Sequence, residues 1–166
     1  QNLFSGLADQ SKVDQAIATA ESNRFGAEVV RSQVSYDLKS AFASLVYAQD
    51  SIKLSSDILK QREDNLRLVQ LRFESGRENK GSVLLFKAYL EQAKLDLLQA
   101  KNSIVTAQTQ LSRVLGTDFA DTIVVQGGVP VQAPPAEIKL QDLALQAPDY
   151  LQTVAQEKYA EAGVTA

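Results

Sequence analysis

The sequence predicts an all-α fold, a long antiparallel coiled-coil helical hairpin followed by a small irregular segment with one short strand. Three observations carry this expectation. From Asp9 to Ser75 there is no proline and one glycine, Gly26, and from Ser82 to Leu115 there is neither. Both stretches are dominated by Ala, Leu, Gln, Lys, Arg and Glu, which are strong helix formers. Both also carry apolar residues at alternating spacings of three and four, the signature of a coiled-coil seam.

Residues 1–8 read as a strand end or lead-in, because Leu3-Phe4-Ser5-Gly6-Leu7 is short and apolar. At about 1.5 Å per residue the two helices are roughly 100 Å and 50 Å long, rare lengths in globular domains and ordinary ones in coiled coils. The second carries Val83, Phe86, Leu90, Ala93, Leu97, Ala100, Ile104, Ala107, Leu111 and Val114, a seam in which large and small residues alternate. The first answers with Leu38, Ala41, Leu45, Ala48, Ile52, Ser55, Leu59, Arg62, Leu66, Val69 and Phe73, interrupted only by Ser55 and Arg62. Upstream, Val13, Ala16, Ala20, Asn23, Ala27, Val30 and Val34 extend this seam. Two successive steps of four, Val30 to Val34 to Leu38, form a stutter that locally relaxes the supercoil.

Between the helices lies Glu74-Ser75-Gly76-Arg77-Glu78-Asn79-Lys80-Gly81-Ser82. Gly76 suits the left-handed position that ends a helix, and Ser82 is the expected N-cap of the next. A connection this short makes the helices antiparallel neighbours, so 9–116 forms a hairpin with its tip at 75–82. The return arm is half as long, so residues 9–40 need another partner. The second helix has a weaker stripe, Leu84, Ala88, Leu95, Leu98 and Val105, roughly 150° around the wheel from the main seam. Apolar contacts on two nearly opposite sides fit a wall, which at about 30° per helix closes with roughly twelve helices. A broad core face of an ordinary bundle is the alternative reading of the same stripe.

After Gly116 the texture changes. All four prolines, Pro130, Pro134, Pro135 and Pro148, lie in the last quarter of the chain. Thr122-Ile123-Val124-Val125-Gln126 reads as a short strand before the turn formers Gly127-Gly128. Leu140 to Gln146 reads as a short helix. A further helix opens at Pro148-Asp149, where proline is tolerated in the first turn and aspartate complements the helix dipole. The segments are therefore 1–8, 9–116, an equatorial 117–147 and a last helix at 148–166.

Composition narrows the chemistry. Cys, His, Met and Trp are absent, which excludes a disulfide framework, a zinc finger, a thiol nucleophile and a Ser-His-Asp triad. No nucleophile–base pair stands out, so the expectation is no enzyme, no cofactor and no metal. Seventeen Lys and Arg against twenty Asp and Glu give a net charge of −3. With no basic block to track phosphates, nucleic acid is not an expected partner. No apolar run reaches the ~18 residues of a transmembrane helix, which leaves β-barrel strands open. The chain starts at Gln1 without a basic-then-apolar leader, and the expectation is of an interior piece of something longer.

Four places in the chain resemble the TolC-like outer-membrane efflux family, also called outer-membrane factors. Leu3-Phe4-Ser5-Gly6 is similar to its LFDGG-type strand end, and Ala41-Phe42-Ala43-Ser44-Leu45-Val46-Tyr47-Ala48 to its AYYDLLAA-type helical stretch. Arg72-Phe73-Glu74-Ser75-Gly76, then Ser82-Val83-Leu84 and Ala88, matches the RYEAG…DVL…A pattern around the helix–helix turn, the most specific of the four. Ala147-Pro148-Asp149-Tyr150-Leu151 with Ala160-Glu161-Ala162-Gly163-Val164 resembles the RPDL…AEAGV opening of the second repeat.

The resemblance implies a homotrimeric channel. A twelve-stranded barrel in the outer membrane of a Gram-negative bacterium continues as a twelve-helix barrel across the periplasm. Each protomer carries two repeats, of which this chain holds the end of the first and the start of the second. On that reading the hairpin is a soluble periplasmic part, and 148–166 rises beside the upper half of the first helix. The implied function is passive export, with energy and substrate choice residing in an inner-membrane pump linked through a periplasmic adaptor protein. The implied adaptor-binding residues are those of the tip: Glu74, Ser75, Gly76, Arg77, Glu78, Asn79, Lys80, Ser82, Val83 and Leu84. Gly76 would hold the turn, Val83 and Leu84 would line a groove for an adaptor hairpin, and Arg77, Glu78 and Lys80 would decorate the rim. The sequence departs from the family pattern at Gly81, where a larger apolar residue is common, at Ser82 for Asp, at Phe86 for Ala and at Ala147 for Arg. Asp57, Asp64 and Glu74 are candidates for an ion-selecting ring only by lying toward the tip. The competing reading is the adaptor's own coiled-coil hairpin, which should carry Gly- and Val-rich β segments on both flanks. A generic coiled-coil scaffold would not predict the Pro148-Asp149 opening.

Overall fold

The computed structural model describes residues 8–117, 123–130 and 139–164. Four helices account for most of them: α1 (Ala8–Glu74), α2 (Lys80–Leu115), α3 (Leu140–Gln146) and α4 (Pro148–Val164). There is no strand among the described residues. The Leu3–Gly6 strand end expected from sequence lies outside them. The chain forms two compact units, Asp37–Pro130 and Gln1–Tyr36 with Val131–Ala166.

In Asp37–Pro130, α1 and α2 run antiparallel. Ala41, Leu45 and Ala48 of α1 form one buried cluster with Ala107 and Leu111 of α2, while nearer the tip the Arg62 guanidinium lies over the Tyr89 ring. Counting along this register sets Leu45 opposite Ala107, Ala48 opposite Ile104, Ile52 opposite Ala100 and Leu59 opposite Ala93. Large faces small at each of these levels, so side-chain volume stays even along the interface and the two backbones can approach closely. All ten seam positions of α2 are buried or half-buried, and so are those of α1 from Ala41 to Val69. Leu38 and Phe73 at the ends are exposed. Arg62 is accommodated because its aliphatic stem fills a seam position while its charge rests on an aromatic face.

The C-terminus of α2 is closed by Gly116 at φ +66°, with Gly116 N–H on Arg113 O and Thr117 N–H on Ser112 O. This is the paired-bond cap that satisfies the last carbonyls of a helix. The strand expected at Thr122–Gln126 is not formed over its described part. Ile123–Gln126 has no regular secondary structure and no ladder partner among the described residues, although its side chains alternate half-buried and exposed. Instead Gln49 Nε2 donates to Val125 O and Val125 N–H donates to Gln49 Oε1, each at 3.0 Å. Gln108 Nε2 donates to Ile123 O at 2.9 Å. Side-chain amides supply what a neighbouring strand would otherwise provide.

In the other unit α4 lies antiparallel along the first part of α1. Lys158 Nζ is 3.4 Å from Glu21 Oε2, and Cβ atoms built on Gly26 and Gly163 would meet Gln152 and Gln15. The face of α1 used here differs from the expected seam. Val13, Ala16, Ala20, Asn23, Ala27, Val30 and Val34 are all exposed, whereas Ser11 and Ala18 are buried and Gln15 and Ser22 half-buried. The reason lies in α4, whose one buried residue is Ala155. Ala155 lets α4 come close to α1, and Leu151 and Val154 of α4 are half-buried, as are Phe25 and Val29 of α1.

Candidate partner-docking tip

The turn between α1 and α2 is built by two caps. At the end of α1, Gly76 adopts φ +70°, Arg77 N–H bonds to Arg72 O at 2.8 Å and Gly76 N–H to Phe73 O at 3.0 Å. The Ser75 hydroxyl donates to Arg72 O at 3.0 Å, so the final carbonyls are occupied. The start of α2 differs from the expected cap at Ser82. Helix geometry begins at Lys80, and Asn79 is the N-cap, its side-chain oxygen accepting Ser82 N–H at 2.9 Å. Gly81 makes room for this, since a Cβ there would stand 3.0 Å from Asn79 Oδ1. The glycine at a position where the resemblance implies a larger apolar residue is thus explained by the cap beneath it.

Ser82 has a different task. Its hydroxyl donates to Glu78 Oε1 at 2.8 Å, and the same oxygen accepts Asn79 N–H at 3.1 Å and Asn79 Nδ2 at 3.3 Å. These donors form a variant of the capping box, in which the residue before the cap, not the one three after it, supplies the acceptor. The Asn79 backbone bond, the Ser82 hydroxyl and the nearby Arg72 charge hold the Glu78 carboxyl below its ordinary pKa, because each favours the anion.

The ten expected docking residues are brought to one end of the hairpin, but not to one surface. Glu74, Ser75, Gly76, Arg77, Asn79 and Lys80 are exposed, and Glu78 and Ser82 are half-buried in the cap network. Val83 is buried, a seam residue that the register sets opposite Val69. The outward apolar groups are Leu84 and its neighbour Leu85. Just above the turn, an open groove of about 350 Å³ is lined by Glu63, Leu66, Arg67, Gln70, Glu74 and Leu90, among others. Asp64 is paired with Arg67 at 3.1 Å on the surface, and Asp57 is exposed. Phe86 and Tyr89 meet edge to face with ring centroids 5.9 Å apart. Sequence reasoning placed Asn79 at the tip without its capping role, and left Tyr89 and the two glutamines Gln49 and Gln108 unassigned. Of these only Asn79, three residues before Ser82, carries a recognisable capping signal.

The fold and the tip of Asp37–Pro130 define a structural class of protein: an antiparallel helical hairpin with a capped end and apolar stripes turned outward. A family model described as outer membrane efflux protein matches residues 1–117, and the chain belongs to that family. The family is one of outer-membrane efflux channels, a transport family and not an enzymatic one, which works with components of efflux pumps. This decides between the channel reading and the adaptor hairpin in favour of the channel. No curated protein matches the chain. No helix among the described residues is long and apolar enough to cross a membrane.

Proposed function

We propose that the chain is a wall segment of a homotrimeric export channel in the outer membrane of a Gram-negative bacterium, with its hairpin in the periplasm. The channel passively conducts substrates delivered through a periplasmic adaptor and an inner-membrane pump. The observation that carries this reading is where the apolar side chains of Asp37–Pro130 lie. The seam alternates large and small residues and is fully used between the two helices, yet Tyr47, Leu54, Leu84 and Leu98 remain between 55% and 75% exposed on other faces. A hairpin that still exposes large apolar residues after its own seam is filled is suited to lateral neighbours on its flanks.

At the tip, Leu84 is the apolar anchor for the adaptor, and Glu74, Ser75, Gly76, Arg77, Asn79 and Lys80 are its polar rim. Glu78 and Ser82 shape the turn, and Val83 supports it from beneath. The test is site-specific photocrosslinking in cells that express the full-length channel, with the probe at Lys80, Leu84 or the mid-helix position Lys53. Adducts with the adaptor are expected at Lys80 and Leu84 and not at Lys53. Equal adducts at Lys53, or none at the tip while efflux proceeds, would refute the docking assignment.

A further inference from the structure

We propose that the segment Ile123–Val125 is a register staple, a second joint that pins α1 to α2 at the end of the hairpin away from the tip. This goes beyond the channel reading and does not depend on it. The two helices are joined covalently only through the short turn, and their seam does not specify register strongly. Its large and small residues recur every seven positions. A seven-residue slip of α2 would set Leu45 opposite Ala100, Ala41 opposite Ile104 and Ile52 opposite Ala93. Each is again large against small, so at these levels away from the tip seam packing discriminates poorly between the two alignments, and only nearer the tip would Leu59 meet Phe86 and Arg62 leave the Tyr89 ring.

The segment breaks this degeneracy because both helices hold it at neighbouring points. Gln49 of α1 holds Val125 through both its N–H and its carbonyl at 3.0 Å. Gln108 of α2 holds the Ile123 carbonyl at 2.9 Å. Ile123 and Val125 also pack on the cluster formed by Ala41, Leu45, Ala48, Ala107 and Leu111, while Val124 between them points out, 67% exposed. Those two residues share a face, alternating with Val124. A seven-residue slip would carry Gln108 roughly 10 Å along the helix axis, farther than an amide side chain reaches while Gln49 keeps Val125. Register is then set at both ends, by the caps at the tip and by the staple at the other.

The chain has no cysteine, so introduced pairs report register cleanly by disulfide trapping. Ala48→Cys with Ile104→Cys reports the observed alignment. Ala41→Cys with Ile104→Cys reports the slipped one, because those positions lie too far apart to bridge in the observed register. In the parent, only the first pair should cross-link. Adding Gln49→Ala and Gln108→Ala should raise the slipped cross-link about tenfold or more, since three hydrogen bonds no longer oppose it. An unchanged slipped yield in a variant of parental helicity would overturn the proposal. Should the variant lose its helices, hydrogen exchange on the parent decides. The Val125 amide must exchange as slowly as the amides of the Ala41–Ala48 turn, and exchange as fast as at exposed Val124 would overturn the staple.

Discussion

Leu45 offers the sharpest test of the large-against-small interface. It is fully buried, and its cluster consists of Ala41, Ala48, Ala107 and Leu111. Leu45→Ala removes three carbons, worth about 2.4 kcal/mol at about 0.8 kcal/mol per buried methylene. The three alanines beside it have no side chain beyond Cβ to move into the space, and only Leu111 and the rim residues Ile104, Val114, Ile123 and Val125 can relax toward it, so part of the cavity persists. The total should be about 3–4 kcal/mol, within the range of buried Leu→Ala substitutions. Ala107→Leu forces volume into the place that Leu45 occupies and should cost about 1–3 kcal/mol. The exchange Leu45→Ala with Ala107→Leu keeps the volume of the level and only swaps which helix supplies it. Its cost should fall at least about 1 kcal/mol below the sum of the single effects. Urea unfolding followed by far-ultraviolet circular dichroism measures all three, with exposed Lys101→Ala as a control expected to change stability by roughly 0.5 kcal/mol or less. Strict additivity of the pair would mean that Leu45 and Ala107 do not share a level, and the register would be wrong.

The tip makes three further predictions. Glu78 has a lowered pKa, so its stabilisation is complete above the ordinary carboxylate value and is lost as pH falls through the lowered one. Thermal midpoints of the parent and Glu78→Gln should therefore differ at neutral pH and converge in acid; a gap that persists at pH about 2 would remove the carboxylate from the explanation. Gly76→Ala meets no atom within 4 Å but keeps φ at +70°, so its cost is conformational, about 1–2 kcal/mol by denaturant unfolding. Asn79→Ala should cost about 1 kcal/mol through the lost cap and Asn79→Asp little, by the same measurement; an equally mild Asn79→Ala would return the cap to Ser82.

Much of the fold is legible in the sequence because helix formation and seam spacing are local signals. The 67-residue α1, the left-handed Gly76 and the opening of α4 at Pro148 all rest on neighbours a few residues apart. What the sequence hides depends on partners far away along the chain. The stripe on the first part of α1 is a sound coiled-coil pattern, yet α4 covers the neighbouring Ser11–Ala18–Ser22–Phe25–Val29 side, a choice that depends on a helix more than a hundred residues away. Ile123–Gln126 has the composition of a strand, yet what satisfies its backbone is Gln49, dozens of residues earlier, through a side chain with no periodic signature. At the tip, Lys80 and Gly81 read as loop from composition, whereas the Asn79 cap draws them into the helix. The docking residues could be placed at one end from sequence, but the division between exposed Leu84 and buried Val83 needed the register.

The same interface leads to a last prediction about what the hairpin lacks. Every large inward residue of its middle levels faces a small one, which limits the apolar area each level buries, and further large groups such as Tyr47, Leu54, Leu95 and Leu98 face outward. Isolated hairpins of this kind gain too little burial to offset backbone entropy comfortably. Covering the outward stripes should therefore stabilise the chain, and a second copy is the simplest cover in a solution of this protein alone. Stabilisation by a bound partner reaches about 2.7 kcal/mol at about a hundred times its dissociation constant. For a chain of this size that raises the thermal midpoint by roughly 5–10 °C. Midpoints measured across a hundredfold range of protein concentration should climb accordingly, and the climb should vanish when Leu54 and Leu98 are both changed to Gln. A midpoint independent of concentration would mean that the outward stripes bury nothing between copies, and the wall reading would lose the observation that carries it.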